Sequence, residues 1–348
     1  MKHLQRIARL FMLAGIMVMA ACSSSDDDDT TFGDWIKSTP FKGVKRSGAF
    51  TFTIGTTAYV GLGYDGKDYL SDVYKFDVTK GYWEVVSQFP GALRERSVSF
   101  SINGIGYVGL GYNRDDAEDG WDDFWQYDPA TDQWTQLANF GGGLRYNAVS
   151  FAIGSKGYVG TGSDGDNTFS DFWEFTPGAT PEEGEWNEVV SYPGEKMESG
   201  LAFVLNNKAY IGTGRDNGIF STGFWEFTPG TDGGTPTWTK RTPDTDESDY
   251  DEFQSAMSRY DAVALTLGNK AYLVGGVASS GATDKSVYEF DATTFNWDNL
   301  TSLEGSSRSL AVGYVLDGRL FVGTGLNGSS RFDDVWEFFP QKEYDEEY

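Results

Sequence analysis

Four aromatic positions recur in a fixed order along the chain, with a period of roughly 50 residues. The first position holds Tyr59, Tyr107, Tyr158, Tyr210, Tyr272 and Phe321. The second holds Tyr74, Trp125, Trp173, Trp225, Tyr288 and Trp336. The third holds Phe76, Tyr127, Phe175, Phe227, Phe290 and Phe338. The fourth is a tryptophan in five units, Trp83, Trp134, Trp186, Trp238 and Trp297. Four short β-type runs per unit at this period are the signature of a β-propeller blade, so the sequence predicts an all-β fold.

The last unit lacks the closing tryptophan, because the chain continues past Phe338 with Phe-Pro-Gln. A matching tryptophan, Trp35, precedes the first full unit. A ring of blades leaves no exposed sheet edge only when it closes on itself. We therefore predict a six-bladed propeller over residues 33–340, in which the N-terminal strand with Trp35 completes the last blade.

The first 22 residues have the features of an export signal. Three basic residues come first, residues 10–20 form a short apolar run, and the sequence Met-Ala-Ala-Cys ending at Cys22 is similar to a bacterial lipobox. An apolar run this short is typical of a signal peptide and not of a membrane span. We predict a lipoprotein signal peptide at residues 1–21 and acylation of Cys22, which would attach the protein to outer-membrane lipid. A plain secretory signal with a chance cysteine is the alternative.

A Ser/Asp run follows the cysteine, and residues 22–32 are predicted to be an acidic, lipidated tether. Such a run cannot bury apolar surface and stays solvated. It is also similar to the acidic export tag of some gram-negative surface lipoproteins, which implies display outside the cell. A bland linker on a periplasm-facing protein is the alternative. Residues 341–348 are predicted to be an acidic tail.

The net charge of the chain is −25, and removal of the signal peptide, with its three basic and no acidic residues, makes it −28. A chain this acidic is repelled by nucleic acid and by anionic membrane surfaces. High negative charge is also an ordinary solubility device. The charge therefore excludes nucleic acid without naming a partner, and we expect a monomeric propeller.

The repeats resemble those of kelch propellers. Their common pattern is an arginine before the first strand, a tyrosine and then glycines on the second, an aromatic pair on the third and a tryptophan on the fourth. At the paired glycines that follow the second strand, only the fifth unit has adjacent residues, Gly275-Gly276, while the other units read Gly-x-Gly, as at Gly160–Gly162. This variant looks more like bacterial kelch and galactose-oxidase-like propellers. The resemblance implies fold but not function.

An arginine lies 13 residues before the first aromatic position in five of the six units, and Met197 takes its place in the other. The five are Arg46, Arg94, Arg145, Arg259 and Arg308. Sixfold geometry is expected to bring them to the mouth of one channel, where guanidinium forks would match a carboxylate or phosphate. The alternative is structural, since arginine belongs to the kelch pattern at this position. In that case local acids such as Asp164, Asp166 or Asp333 are expected to pair with them.

Two loops on the same predicted face are longer than the others, residues 111–123 and 242–260. Insertions on one face of a repeat array usually build the binding face. Asp249 is expected to cap a short helix that begins near Tyr250. Calcium binding by these acidic loops is weakly supported, because their spacing matches no known calcium loop.

The only histidine, His3, lies in the predicted signal peptide, and Cys22 is the only cysteine. Ser-His-Asp and Cys-His sites and histidine-ligated metals are therefore excluded, and no metal or cofactor is expected. The galactose oxidase reaction is excluded too, because its copper site needs histidines and a Tyr–Cys crosslink.

Two functions remain open. The first is a surface-anchored module that binds a glycan or protein ligand over the channel, an anionic one if the arginines bind it. The alternative is a sugar mutarotase acting on an acidic sugar such as N-acetylneuraminate, as the resemblance to bacterial kelch sialic acid mutarotases implies; sugar ring opening needs only general acid–base help.

Overall fold

The computed structural model describes residues 32–116, 120–221, 223–230, 234–242 and 250–344. Strands β1–β9 are Phe32–Lys37, Phe50–Ile54, Thr57–Gly61, Val73–Asp77, Tyr82–Val86, Val98–Ile102, Ile105–Gly109, Phe124–Asp128 and Gln133–Gln136. Strands β10–β19 are Val149–Ile153, Lys156–Gly160, Phe172–Thr176, Glu185–Val189, Leu201–Leu205, Lys208–Gly212, Arg215–Asp216, Ile219–Phe220, Trp225–Thr228 and Thr237–Lys240. Strands β20–β30 are Arg259–Tyr260, Val263–Leu267, Lys270–Val274, Val277–Ala278, Val287–Asp291, Trp297–Leu300, Val312–Leu316, Arg319–Gly323, Leu326–Asn327, Ser330–Arg331 and Val335–Glu343. One helix, α1, spans Tyr250–Met257, and a 3-10 turn spans Pro181–Glu183.

Six four-stranded antiparallel sheets form the blades. Five are β2–β5, β6–β9, β10–β13, β14-β15-β18-β19 and β21-β22-β24-β25, and the sixth is β26-β27-β30-β1. The first strands of the blades adjoin in a closed cycle, from β2 through β6, β10, β14, β21 and β26 back to β2. The all-β, six-bladed fold predicted from the repeat is confirmed.

The repeated aromatic residues pack within and between blades. In blade 3, Phe151 is the cross-strand partner of Tyr158, and their rings stack with centroids 5.2 Å apart. Trp186 of the same blade contacts Phe124 of blade 2 edge-on, with centroids 5.0 Å apart. Aromatic side chains have a large apolar area and favour offset or edge-to-face contacts. The high aromatic content therefore serves packing between blades.

The N-terminal strand completes the last blade. Trp35 is the cross-strand partner of Phe338, and the two rings stack 4.4 Å apart with Trp35 only 1% exposed. The pairing reaches further than the sequence boundaries of 33 and 340, because Phe32 pairs with Glu343 at the end of β30. Strand pairing thus includes the first three residues of the predicted acidic tail.

Helix α1 lies in the long insertion before blade 5 and begins at Tyr250, as the sequence predicted. Its Phe253, Ala256 and Met257 are buried in the cluster that joins blades 4 and 5. The predicted capping residue, Asp249, lies outside the described residues. The helix adds apolar contacts at the one blade junction where the sequence insertion occurs.

Candidate functional site

The five arginines predicted to form a ligand-binding ring are each 0–1% exposed. Arg145 donates to both carboxylate oxygens of Asp171, at 2.7 and 3.0 Å, and to the carbonyl of Thr161 at 3.1 Å. The same forked ion pair joins Arg46 to Asp72, Arg94 to Asp123 and Arg308 to Asp334.

These pairs are Arg–Asp clamps that fix the start of the third strand to the start of the first. Forked Arg–carboxylate bonds are among the strongest in proteins, and here they pair each buried guanidinium with a carboxylate, although the Nε of Arg145 has no hydrogen-bond partner. The structure therefore gives the predicted site arginines a packing role. The local acids named from sequence are not the partners: Asp164 bonds backbone N–H groups of its own loop, and Asp333 faces Lys45 at 3.7 Å.

Two blades vary the clamp. In blade 4 a buried Met197 replaces the arginine, and Gly223 stands where four other blades have aspartate. Both charged partners are therefore missing together, and no unpaired charge is buried. In blade 5 Ser286 takes the aspartate position, and Arg259 donates to its hydroxyl at 3.1 Å and lies 3.5 Å from Asp284. Burial lowers the pKa of Arg259, whereas Asp284 acts in the opposite direction.

The Gly-x-Gly segments at the ends of the second strands tie each blade to the next. The second glycine donates its N–H to the carbonyl of the arginine, or of Met197, in the following blade, at 2.8–3.0 Å in all six blades. In blade 3, for example, Thr161 has φ +59° and Gly162 has φ +87°. Two successive residues with positive φ turn the chain sharply and aim the glycine N–H at the neighbouring blade.

A ring of six residues surrounds the axis, two positions after each clamp residue. They are Gly48, Arg96, Asn147, Ser199, Asp261 and Leu310. All six have φ between 50° and 65°. Backbone N–H groups of this axial ring donate to the carbonyl of the axial residue in the preceding blade, as from Ser199 to Asn147 at 2.8 Å and from Gly48 to Leu310 at 3.0 Å. The axial ring therefore forms the mouth of the central channel.

A cavity of about 150 Å³ opens at the mouth and is lined by the axial ring and the small residues that follow it. Four of the six axial side chains are polar, and the Oγ of Ser199 is buried with no hydrogen-bond partner. A second cavity of about 310 Å³ lies along the channel and is lined by first-strand residues such as Thr53, Ser101 and Thr266. Polar side chains from four blades thus line the first cavity.

A charged network crosses the mouth. Arg96 donates to the amide oxygen of Asn147 at 2.8 Å and lies 3.5 Å from Asp261 and 3.9 Å from Glu95. Asn147 donates onward to Glu198 at 2.9 Å. Four blades thus contribute to one hydrogen-bonded chain around the axis.

Two groups of this network have shifted pKa values. Burial raises the pKa of the Glu95 carboxyl, against the opposing effect of Arg96 and other cations. For Arg96, burial lowers the pKa, but Asp261, Glu95 and Glu198 outweigh it and raise the value above its usual range. The mouth therefore combines a permanent cation with a carboxyl group that holds its proton to higher pH.

Aromatic rings form a rim outside the axial ring. Tyr112 and Tyr146 lie 4.8 Å apart, and Tyr64 and Tyr69 lie 4.7 Å apart. On the other side the guanidinium of Arg215 lies 4.0 Å from the ring of Tyr260. Its Nε also donates to Glu198 at 3.2 Å.

One repeat of the propeller matches a protein-family model. Residues 258–304 match the family model described as "Kelch motif". The chain is a six-bladed kelch propeller. A solved structure entitled "Structure of YjhT" superposes with a TM-score of 0.70 over 85% of this chain and 95% of that chain, at 17% identity, which shows a shared fold.

Curated relatives of this kelch propeller include N-acetylneuraminate epimerases. The N-acetylneuraminate epimerases of Escherichia coli O157:H7 and of Shigella flexneri are each 27% identical to it over 228 residues, and that of Escherichia coli O1:K1 / APEC is 28% identical. The alignments cover 57% of this chain and 61% of the relatives' length.

The sequence located the clamp residues but not the axial ring two positions further on. Its members differ in type in every blade, so only their spacing from the arginines could have pointed to them. No group of three or more residues suited to hold a metal occurs in the part of the chain that the structure describes. Over the same residues no helix is long and apolar enough to cross a membrane.

Proposed function

We propose that the mouth of the channel binds an acidic sugar. The observation that carries this proposal is the axial ring, where Arg96, Asn147 and Asp261 line one small polar cavity. The rings of Tyr112 and Tyr146, which lie outside the cavity and are partly exposed, offer flat surfaces on which a sugar ring packs. The name of these curated relatives, N-acetylneuraminate epimerase, favours a sugar that carries a carboxylate.

Titration calorimetry with N-acetylneuraminate, glucuronate and neutral glucose tests the binding proposal. The variant Arg96→Lys keeps the charge but loses the planar fork, and we expect it to weaken binding of the acidic sugars about tenfold. Arg319→Lys is the matched control, because Arg319 makes an ion pair with Glu337 in blade 6, outside the residues that line the mouth. Equal affinity of Arg96→Lys and wild type for the acidic sugars would overturn the assignment.

A second candidate function is mutarotation of the bound sugar. Ring opening removes a proton from the anomeric hydroxyl, delivers one to the ring oxygen and breaks the bond between that oxygen and the anomeric carbon; closure reverses these steps on either face. Glu95, whose carboxyl is protonated to higher pH by burial, is suited to donate, and Glu198, which accepts bonds from Asn147 and Arg215, is suited to accept. General acid–base help of this kind contributes about 10²–10⁴-fold.

Exchange spectroscopy by NMR measures the interconversion of the two anomers of N-acetylneuraminate with and without protein. A mutarotase accelerates exchange, and Glu95→Gln then loses the acceleration while it retains binding. Wild-type protein that binds the sugar without any acceleration is a binding module, the first of the two functions.

We propose further that the propeller is a lipoprotein anchored at Cys22 and exposed at the cell surface. The lipobox-like sequence and the Ser/Asp run that follows support this, and both lie outside the described residues. Mass spectrometry of the mature N-terminus tests acylation. Protease treatment of intact cells separates surface display, in which the protein is removed, from a periplasm-facing orientation, in which it is protected.

A further inference from the structure

Two arginines from different blades converge on Tyr64 of blade 1, at the rim of the mouth. The guanidinium carbon of Arg114, from the long loop of blade 2, lies 5.2 Å from the centroid of the Tyr64 ring. That of Arg331, from β29 of blade 6, lies 5.0 Å from the same centroid. Tyr64 itself is 7% exposed and packed against Tyr69, so the ring is a fixed platform for both cations.

Both cations act on the pKa of Glu95 through their charge, but neither is hydrogen-bonded to a carboxylate of the described residues. Arg114 donates through Nη2 to the hydroxyl of Tyr64 at 2.8 Å, and its backbone N–H donates to Tyr69 Oη at 3.2 Å. Arg331 donates to the carbonyl of Ser329 at 3.0 Å, and its Nε is buried without a partner. Among the described residues, neither guanidinium forms an ion pair. Each has five N–H donors, so most of them are unused.

The contrast with other arginines on this face shows that the arrangement is unusual. The clamp arginine Arg145 has both carboxylate oxygens of Asp171. Arg215, which also lies over a rim tyrosine, is bonded to Glu198. In a chain of net charge −25, two neighbouring guanidiniums without a bonded carboxylate point to a negatively charged group from outside the chain.

We infer that Arg114 and Arg331 form an oxyanion subsite at Tyr64, which takes a carboxylate or phosphate group of the ligand. Guanidinium forks match the two or three oxygens of such groups. The hydroxyl of Tyr64 holds Arg114 in place, and both guanidiniums lie within 5.2 Å of the centroid of the same ring. That the rest of the ligand is a sugar reaching into the cavity depends on the proposed function; the oxyanion subsite itself does not.

Titration calorimetry with inorganic phosphate and with acetate, on the whole protein, tests the subsite without a sugar. We expect saturable binding that weakens about tenfold in Arg114→Gln and in Arg331→Gln. Lys67→Gln is the matched control: it removes one positive charge from the same blade as Tyr64, but the Lys67 side chain is 85% exposed and pairs with Asp68. Tyr64→Phe, which keeps the ring and removes the acceptor of the Arg114 bond, is expected to give a smaller loss.

Glucuronate, glucose 6-phosphate and glucose distinguish the source of the oxyanion. Tighter binding of glucuronate by wild-type protein indicates a carboxylate, and tighter binding of glucose 6-phosphate indicates a phosphate. In Arg331→Gln we expect this preference to disappear and the affinity for glucose to stay unchanged. The inference is overturned when wild-type protein shows no saturable binding of phosphate or acetate, or when Lys67→Gln weakens it as much as the arginine variants. Phosphate binding that depends on both arginines, with no sugar binding at all, would uphold the subsite and contradict the proposed function.

Discussion

Arg145 donates to both carboxylate oxygens of Asp171, and the pair joins the loop before the first strand of blade 3 to the start of its third strand. Because the guanidinium is 1% exposed, its side-chain hydrogen bonds go to this carboxylate and to two backbone carbonyls. Ion pairs of this kind hold the propeller loops in place.

Removal of one partner of a clamp is expected to be costly. Arg145→Met leaves the Asp171 carboxylate without its cation, and we expect a loss of about 3 kcal/mol in the free energy of unfolding. The double variant Arg145→Met/Asp171→Gly reproduces the combination found in blade 4 and is expected to lose less than the sum of the single variants. Urea unfolding of the four proteins measures the coupling. Additive losses would contradict a clamp, and a weakened sugar affinity at unchanged stability would restore the ligand-binding arginine ring.

Closure of the ring through Trp35 is expected to contribute strongly to stability. Trp35→Ala removes a buried side chain stacked on Phe338, and we expect a loss of about 3–5 kcal/mol. Its neighbour Ile36 points outward and is 44% exposed, so Ile36→Ala is the control and is expected to change stability by less than about 0.5 kcal/mol. Thermal unfolding measures both, and equal melting temperatures for the two variants would show that the last blade does not depend on Trp35.

The raised pKa of Glu95 predicts a pH dependence of stability. Because the folded protein binds this proton more tightly than the unfolded chain, the contribution of Glu95 becomes unfavourable as the pH rises above the unfolded value. Glu95→Gln removes this ionisation, so we expect the variant to be more stable than wild type at pH 8 and the difference to shrink at pH 4. Melting curves across this range test it. A difference that grows towards low pH would mean that the pKa of Glu95 is lowered.

Close approach of backbone within blade 3 predicts a difference between two glycines. A Cβ on Gly162 would lie 2.8 Å from the Tyr146 carbonyl oxygen and 2.9 Å from Ala148, whereas one on Gly154 would meet nothing within 4 Å, although both have positive φ. We expect Gly154→Ala to cost about 1 kcal/mol and Gly162→Ala at least about 2 kcal/mol more. Urea unfolding compares them, and similar losses would mean that φ alone, and not the contact, limits the position.

The fold could be predicted from the sequence because every blade buries the same aromatic positions. Tyr158, Phe175 and Trp186 mark three strands by type and spacing alone, and their counterparts recur in each unit. The missing last tryptophan likewise predicted the role of Trp35. This regularity can be recognised in the sequence because the same packing arrangement is repeated six times.

The functional surface was only partly predictable. The arginines were located, but their partners were not, because Asp171 lies 26 residues after Arg145 and is brought back by the second-to-third strand loop. Whether such an arginine faces a ligand or a carboxylate depends on the three-dimensional path of that loop.

The sequence by itself determined the architecture, since six similar units can all bury their aromatic side chains when each packs against the next in a closed ring. Only the tertiary structure decided which polar residues meet. Arg96 and Asp261 are 165 positions apart yet face each other across the mouth. The axial residues share a backbone conformation and a place near the axis, not a residue type, and Arg114, Tyr64 and Arg331 meet only because the ring closes. Contacts between blades depend on the geometry of the closed ring, so they cannot be predicted from the sequence pattern of a single repeat.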